Sequence, residues 1–375
     1  MSEKNKLIHF TYTWTSSGVS GFISNISREL ADDFDQTIVV WENRGTVFDD
    51  EIKEKGIEII TLCKGNSHGI LDLPLACIKF RSYLKKNKPD IVHLHCSTSL
   101  ELRILRAAKD AKVPVRVAHC HNAGFEGNKL AKYVKKEIHV AYKDEYADYA
   151  TMRLACSKAA GDWMFPEEYS YEIVKNAIDV DRYLFSHEKR DAVRAKYDLG
   201  DAFTFCCTGR LSEQKNQAVL VEAFARYHQK HPDSALLLAG DGPEKAKLAS
   251  MISSYGIEHC AKLLGVVQDV GSILSASDAY VLPSRFEGFG TAVLEAQANG
   301  LPCLVSDTVS KEADLMGNAI RNPWDASAAL WTNAMEIVAE RKRYDGIDVV
   351  RTSGYTKERV ASYLATLYHS ALTEK

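Results

Sequence analysis

Short apolar runs alternate with longer stretches of helical spacing through most of the chain. In the first half the runs are 7–12 (LIHFTY), 36–41 (QTIVVW), 57–62 (IEIITL), 90–95 (DIVHLH) and 115–120 (VRVAHC), with helical patterns at 19–33, 71–87 and 98–110. These runs are near-continuously apolar, as strands buried on both faces of a parallel sheet are. Strand and helix in alternation predict βαβ units and a doubly wound sheet. Over 165–185 the pattern relaxes, and this stretch reads as an interdomain linker. Alternation restarts with strands at 202–209, 234–240, 260–266, 279–284 and 302–307 and helices at 216–230, 243–254 and 291–299. The pattern predicts two Rossmann-like α/β domains, 1–168 and 169–354, which repeat an architecture without repeating a sequence. The tail 355–375 reads as an amphipathic helix, with Val360, Leu364, Leu367, Tyr368 and Leu372 on one face.

Composition narrows the class. A chain of 375 residues is long for one core, in keeping with two domains. The net charge of −3 argues against a nucleic-acid partner, so any charged partner is met by a local patch. No apolar run approaches the ~18 residues of a membrane-spanning helix, and MSEKNKLIHF has no secretory apolar core. Nine cysteines without a CxxC pair, most in apolar runs (Cys96, Cys120, Cys156, Cys206, Cys207, Cys303), read as buried thiols in a reducing cytoplasm. No zinc site is expected.

In open α/β sheets ligands bind beyond the carboxyl ends of the strands. A GxGxxG fingerprint is absent from both halves, which argues against a dinucleotide dehydrogenase. Three post-strand loops of the second half carry polar chemistry. In TGRLSEQKN (208–216), Gly209 ends a strand and Arg210 and Lys215 follow across a turn, two cations able to grip a diphosphate. In AGDGPEKAKL (239–248), Gly240 and Gly242 permit a tight turn or a close backbone approach. In PSRFEGFGTAVLEAQANG (283–300), Gly288 and Gly290 precede a helix beginning near Thr291, whose free amides favour an anion. Glu287 stands at the turn and Glu295 roughly 6 Å further along the helix axis, so the two can bracket a diphosphate and bind hydroxyls on either side. Each loop taken alone also fits an ordinary solvated turn, with Glu287 as a cap and Glu295 as a surface residue.

Together, and in this order, these pieces resemble the retaining glycosyltransferases of the GT-B fold, glycosyltransferase family 4. EGFGTAVLE matches the family's E-x7-E motif, GRLSEQKN its G-R-x4-K segment, AGDGPE its glycine-rich turn and LLGVVQD its base-flanking loop. The resemblance spans almost the whole chain and is strong over 203–310. IVHLHCSTS, RVAHCHNAG and LACSKAAGDWMF resemble bacterial exopolysaccharide and capsule enzymes.

The resemblance implies an amino-terminal acceptor domain and a carboxy-terminal nucleotide-sugar domain facing each other across a cleft, with the tail helix returning to the first. It implies a hexosyl transfer from a nucleotide diphosphate sugar, a UDP-sugar, to a saccharide or lipid-linked acceptor. No metal or other cofactor is expected. Arg210 and Lys215 would bind the diphosphate and Glu295 the ribose. Glu287 and the Gly288, Phe289 and Gly290 backbone would meet the donor sugar, and Val266 would lie beside the base. Gly18, in TSSGVSGFISNIS, takes the place of the family's second phosphate-loop glycine, with Ser17 in place of the first. His121 would face the donor sugar. Thr291 stands where many relatives have proline and serves helix start equally well. The pairs His93/His95 and His119/His121 suggest a metal, but no carboxylates accompany them, and His93 and His119 read as satisfied core histidines. The basic stretch 128–143, with five lysines, reads either as a solvated face or as a contact with anionic lipid on the inner face of the membrane. Two alternatives stand beside the transferase: a nucleotide-sugar epimerase of the same fold, and a non-catalytic nucleotide-sugar-binding protein.

Overall fold

The computed structural model describes residues 4–63, 65, 67, 69–125, 129–344 and 346–374. The chain divides into two compact units, Met1–Ala177 with Lys357–Lys375, and Ile178–Thr356. In the first, β1 (Asn5–Trp14), β2 (Phe34–Asn43), β3 (Glu58–Thr61), β4 (Ile91–Cys96), β5 (Val115–Cys120), β6 (Met152–Ala155) and β7 (Glu172–Ile173) form one sheet in the order β3-β2-β1-β4-β5-β6-β7. All its pairings are parallel. Helices flank it, and their apolar faces close the core: Phe22, Ile23, Ile26 and Leu30 of helix Gly18–Leu30 pack in one cluster with Val360, Leu364 and Tyr368 of the tail helix Lys357–Thr373.

The second unit repeats the plan. β8 (Phe203–Thr208), β9 (Ser234–Ala239), β10 (Ala261–Gly265), β11 (Ala279–Leu282), β12 (Cys303–Ser306) and β13 (Ile320–Asn322) pair in parallel in the order β10-β9-β8-β11-β12-β13. Strand order reverses between β1 and β4 in one unit and between β8 and β11 in the other, which makes the loops after those strands the places for a ligand.

The stretch 165–185 is not a plain linker. It contains β7, which extends the first sheet, and a short 3-10 helix, Val180–Tyr183, that belongs to the second unit. The division falls at Ala177/Ile178, beyond the 168/169 boundary read from pattern, because a two-residue strand leaves no hydropathy period to detect. Helices at His187–Lys196, Val270–Ala276, Ala328–Ala339 and Ile347–Thr352 and strand β13 also escape the pattern reading. The predicted helix 98–110 is a 3-10 turn, Ser99–Leu102, continued by Arg103–Asp110. Cys96, Cys120, Cys156, Cys206, Cys207 and Cys303 are buried free thiols. No helix among the described residues is long and apolar enough to cross a membrane.

Candidate functional site

The loops after β8 and β11 are zipped together. Arg285 N donates to Gln214 O at 2.7 Å, Gln214 Nε2 to Phe286 O at 3.0 Å and Asn216 Nδ2 to Pro283 O at 3.2 Å. Arg285 and Glu213 add an ion pair at 2.8 Å. The zipper brings Lys215 and Glu287, seventy-two positions apart in sequence, to a contact of 2.6 Å between Nζ and Oε1. The same carboxylate oxygen accepts from Ser284 Oγ at 2.6 Å. The side chains keep 18% and 8% of their exposure, so the pair is largely withdrawn from water. Burial alone pushes the Lys215 ammonium down. The adjacent Glu287 carboxylate, with Cys207 and Glu295, outweighs it and holds the pKa above its ordinary value.

Glu295 is half-buried on helix Thr291–Ala298 and accepts a hydrogen bond from Tyr183 Oη at 3.0 Å. Burial raises its pKa, while Tyr183 and Lys215 pull it down. The alternative of a plain surface glutamate is therefore set aside. The helix begins at Gly290, in the left-handed conformation at φ 102°, with no side-chain hydrogen bond capping it. Thr291 is the first helical residue and does not act as the cap. A Cβ at Gly290 would also come within 2.9 Å of Val309. Phe289 is buried against Tyr355, with ring centroids 5.1 Å apart, which fixes the turn from the apolar side.

Arg210 is exposed, and its guanidinium makes no hydrogen bond or ion pair among the described residues. Gly209 has φ 133°. Gly240 and Gly242 serve packing between loops: Cβ atoms there would lie 1.9 Å from Gly209 O and 2.3 Å from Leu211 O. Gly240 N also donates to Gly265 O at 2.8 Å, which ties in the loop after β10, where Val266 is 54% exposed. The strand-end loops of β8, β9, β10 and β11 thus form one backbone-linked rim.

The first unit holds the remaining predicted residues. Ser17 caps helix Gly18–Leu30 by accepting from Ser20 N at 3.3 Å, and a Cβ at Gly18 would meet no atom within 4 Å. His121 follows β5 and lies in a cluster with His9, His93, His95 and His119. His93 is satisfied at both ring nitrogens, by Tyr368 Oη at 2.6 Å and His119 Nδ1 at 3.2 Å. His119 is not, because its Nε2 is buried without a partner. Among the described residues, three sets have the spacing to hold one metal ion: His9/His93/His95, His95/His119/His121 and His228/His259/Cys260. Sequence reasoning missed Tyr183 and Ser284, which no motif marks, and it missed His9, whose partners are far away in sequence.

Residues 16–182 match the family described as Glycosyltransferase Family 4, and residues 189–324 match Glycosyl transferases group 1. A Bacillus subtilis (strain 168) protein named as the glycosyltransferase EpsF is 25% identical, over 100% of this chain and 98% of its own length. The UDP-Gal:alpha-D-GlcNAc-diphosphoundecaprenol alpha-1,3-galactosyltransferase of Escherichia coli is 34% identical over 260 residues, 66% of this chain and 65% of that one. Among solved structures, HepE of Anabaena in complex with UDP and glucose superposes with TM-score 0.73 at 18% identity, over 99% of this chain and 98% of that one. Sucrose-phosphate synthase of Thermosynechococcus elongatus superposes with TM-score 0.81 at 16% identity, over 99% and 100%. At such identities the structures show the fold, two parallel sheets each flanked by helices as in GT-B glycosyltransferases. The epimerase alternative finds no support in these matches. With a family 4 domain over its first half and a group 1 domain over its second, the chain is a glycosyltransferase of the GT-B type.

Proposed function

We propose that the chain moves a hexosyl group from a UDP-sugar to a hydroxyl of a lipid-linked or growing saccharide in exopolysaccharide or capsule synthesis, with retention of configuration. One observation carries the reading: Lys215, Glu287 and Glu295 converge at the strand-order reversal of the second unit, on a loop whose Arg210 is unengaged. The E. coli relative, named for a UDP-Gal donor and a diphosphoundecaprenol-linked acceptor, supports the donor and acceptor classes, and the UDP complex of HepE supports the base.

In this reading Arg210 and Lys215 hold the diphosphate with Gly209 beneath them, and the free amides from Thr291 onward face it. Glu295 takes the ribose hydroxyls and Val266 borders the base. Glu287 and the Gly288–Gly290 backbone orient the donor sugar. The bond from the sugar C1 to the β-phosphate oxygen breaks, and the acceptor oxygen bonds to C1 on the same face. The acceptor proton passes to the departing phosphate oxygen, so no protein base is required. Charge grows on that phosphate as the bond breaks, and fixed cations and amides stabilise it without reorganising. These groups do so without a metal ion.

The test is thermal unfolding with UDP, GDP, ADP and NAD, for the native protein and Arg210→Ala. A ligand at a hundred times its Kd stabilises by about 2.7 kcal/mol, a shift of a few degrees. A shift with UDP that Arg210→Ala abolishes is expected. A shift with GDP instead overturns the donor assignment, and no shift with any nucleotide overturns the site. NMR of the product decides the stereochemistry: a β-linked product from an α-linked donor overturns retention.

A membrane-bound acceptor is favoured by helix Lys129–Ala147. Leu130, Tyr133, Val134 and Val140 are exposed on it beside lysines. An apolar and basic face of this kind suits an anionic lipid surface.

A further inference from the structure

The second unit holds a smaller histidine group, at the other end of its sheet from the rim. His228 stands in the last turn of helix Gln217–Lys230, and His259 and Cys260 immediately precede β10. His228 and His259 are thirty-one positions apart, a spacing that matches no zinc motif, so the fold alone assembles the group. Its backbone is pinned to the sheet. Cys260 O accepts from Leu236 N of β9 at 2.9 Å, and Cys260 N donates to Ile257 O at 3.1 Å. The rim lies at the carboxyl ends of β9 and β10 and this group at their amino ends. The six residues of β9, at ~3.3 Å each, set the two about 20 Å apart.

Hydrogen bonds orient His228. Ser234 Oγ donates its single proton to His231 O at 2.7 Å. Its contact with His228 Nδ1 at 3.0 Å therefore uses an oxygen lone pair, and the proton in that contact belongs to the ring. His228 thus carries its N–H at Nδ1 and keeps a lone pair on Nε2. The ring also stacks on buried Phe224, with centroids 5.7 Å apart. A hydrogen bond on one ring nitrogen that aims the other is the way metal-ligating histidines are held. Burial first and His259 second lower the His228 pKa, which keeps the ring neutral at neutral pH.

The Nε2 lone pair faces two further ligand atoms. His259 Nε2 lies 3.2 Å away and Cys260 Sγ 3.5 Å away. All three atoms lie within 4.8 Å of one another. Tetrahedral zinc, with bonds of about 2.0–2.1 Å to nitrogen and about 2.3 Å to sulfur, spans roughly 3.3 Å between two nitrogens and roughly 3.6 Å between nitrogen and sulfur. The group already has those dimensions. His259 is exposed and gives an ion access from water, while Cys260 is buried. Two imidazoles and a thiolate suit Zn2+, whereas Mg2+ and Ca2+ take oxygen ligands. The metal-free alternative is a pair of hydrogen bonds, one from His259 Nε2–H to His228 Nε2 and one from the thiol to Ile257 O at 3.5 Å.

We propose that His228, His259 and Cys260 bind one Zn2+ ion, with water in the fourth position, as a clamp between helix Gln217–Lys230 and the start of β10. The ion gains three bonds to the protein, and the Cys260 thiol gives up its proton to water. Burial pushes that thiol up to about 11, so it keeps its proton until the ion displaces it. Ser234 is a positioning residue that aims His228.

Cobalt reads the site directly. The full chain, stripped with EDTA and dialysed, is titrated with Co2+. One equivalent should bind with a thiolate-to-cobalt charge-transfer band in the near ultraviolet, and one equivalent of Zn2+ should displace it. The band should vanish in Cys260→Ala and weaken in His259→Gln. Ser234→Ala should lower the affinity about 10–100-fold, as loss of the bond that orients a ligating histidine does. A native protein without the band overturns the proposal even if no variant folds. So does a band that survives both Cys260→Ala and His259→Gln, because the ion then sits elsewhere. Unchanged affinity in Ser234→Ala overturns the positioning role alone. Saturating Zn2+ should raise the unfolding temperature by a few degrees in the native protein and not in His259→Gln. A bound ion that leaves the native transition unmoved overturns the clamp.

Discussion

Glu295 shows how a single side chain at this site works against the unliganded fold. Burial raises its pKa, with Tyr183 and Lys215 opposing. A carboxyl that binds its proton more tightly when folded contributes stability that is fully present below its unfolded value of about 4.3. That contribution is lost as pH rises through the folded value. At neutral pH the ionised carboxylate thus destabilises the empty site. Glu295→Gln is expected to raise the unfolding temperature near neutral pH, with the gain shrinking toward about pH 4.3. The same change should weaken UDP binding by on the order of tenfold, since a charge-assisted hydrogen bond is lost. Thermal unfolding against pH, with a UDP titration, checks both, and lower stability at neutral pH would show that the Tyr183 bond outweighs the burial. The E-x7-E spacing that singles out Glu287 and Glu295 is plain in sequence, as are Arg210 and Lys215. Their environments are not: Tyr183 and His9 belong to no local pattern and each meets a residue far along the chain, while Ser284 reaches Glu287 only because the turn folds back over three positions.

Among the elements, strands were the most legible, because a buried parallel strand is apolar on both faces. The runs at 90–95 and 115–120 lie over β4 and β5 to within a residue. The glycine turn after β9 was legible as a turn, but not its purpose, which is to let one loop backbone lie on another. Helix Lys129–Ala147 shows the opposite limit: its spacing is helical, yet spacing cannot say which face is covered. In the fold it leaves Leu130 73% and Tyr133 62% exposed, an unusual outlay of apolar surface. The membrane proposal predicts flotation with vesicles containing anionic lipid. Near-surface lysines are worth about 1 kcal/mol each, so replacing Lys135 and Lys136 by alanine should cut partitioning by on the order of tenfold or more. Flotation equal on neutral and anionic vesicles, or absent from both, would sink the proposal.

At the scale of the whole molecule, the chain builds one Rossmann-like unit, then a second, and ends with a helix in the first. The tail helix buries Val360, Leu364 and Tyr368 in the first unit's core, so it is part of that unit's stability. Leu364→Ala, at a fully buried position, is expected to cost about 2–5 kcal/mol, read as a lower denaturant midpoint for the first unit. A loss under about 1 kcal/mol would mean that the helix packs loosely there. The sequence by itself determined the number and type of strands in most of both sheets, the two-domain plan and the spacing of Arg210, Lys215, Glu287 and Glu295 in two post-strand stretches. Apolar periodicity and motif spacing are local properties that survive without a fold. Tertiary structure alone decided that Lys215 pairs with Glu287, that Tyr183 meets Glu295, and that the chain divides at Ala177/Ile178. It alone drew four histidines of three strands, with His121 just beyond the third, into hydrogen-bonded rows. Such contacts depend on strand order and register, which place residues side by side regardless of their separation along the chain.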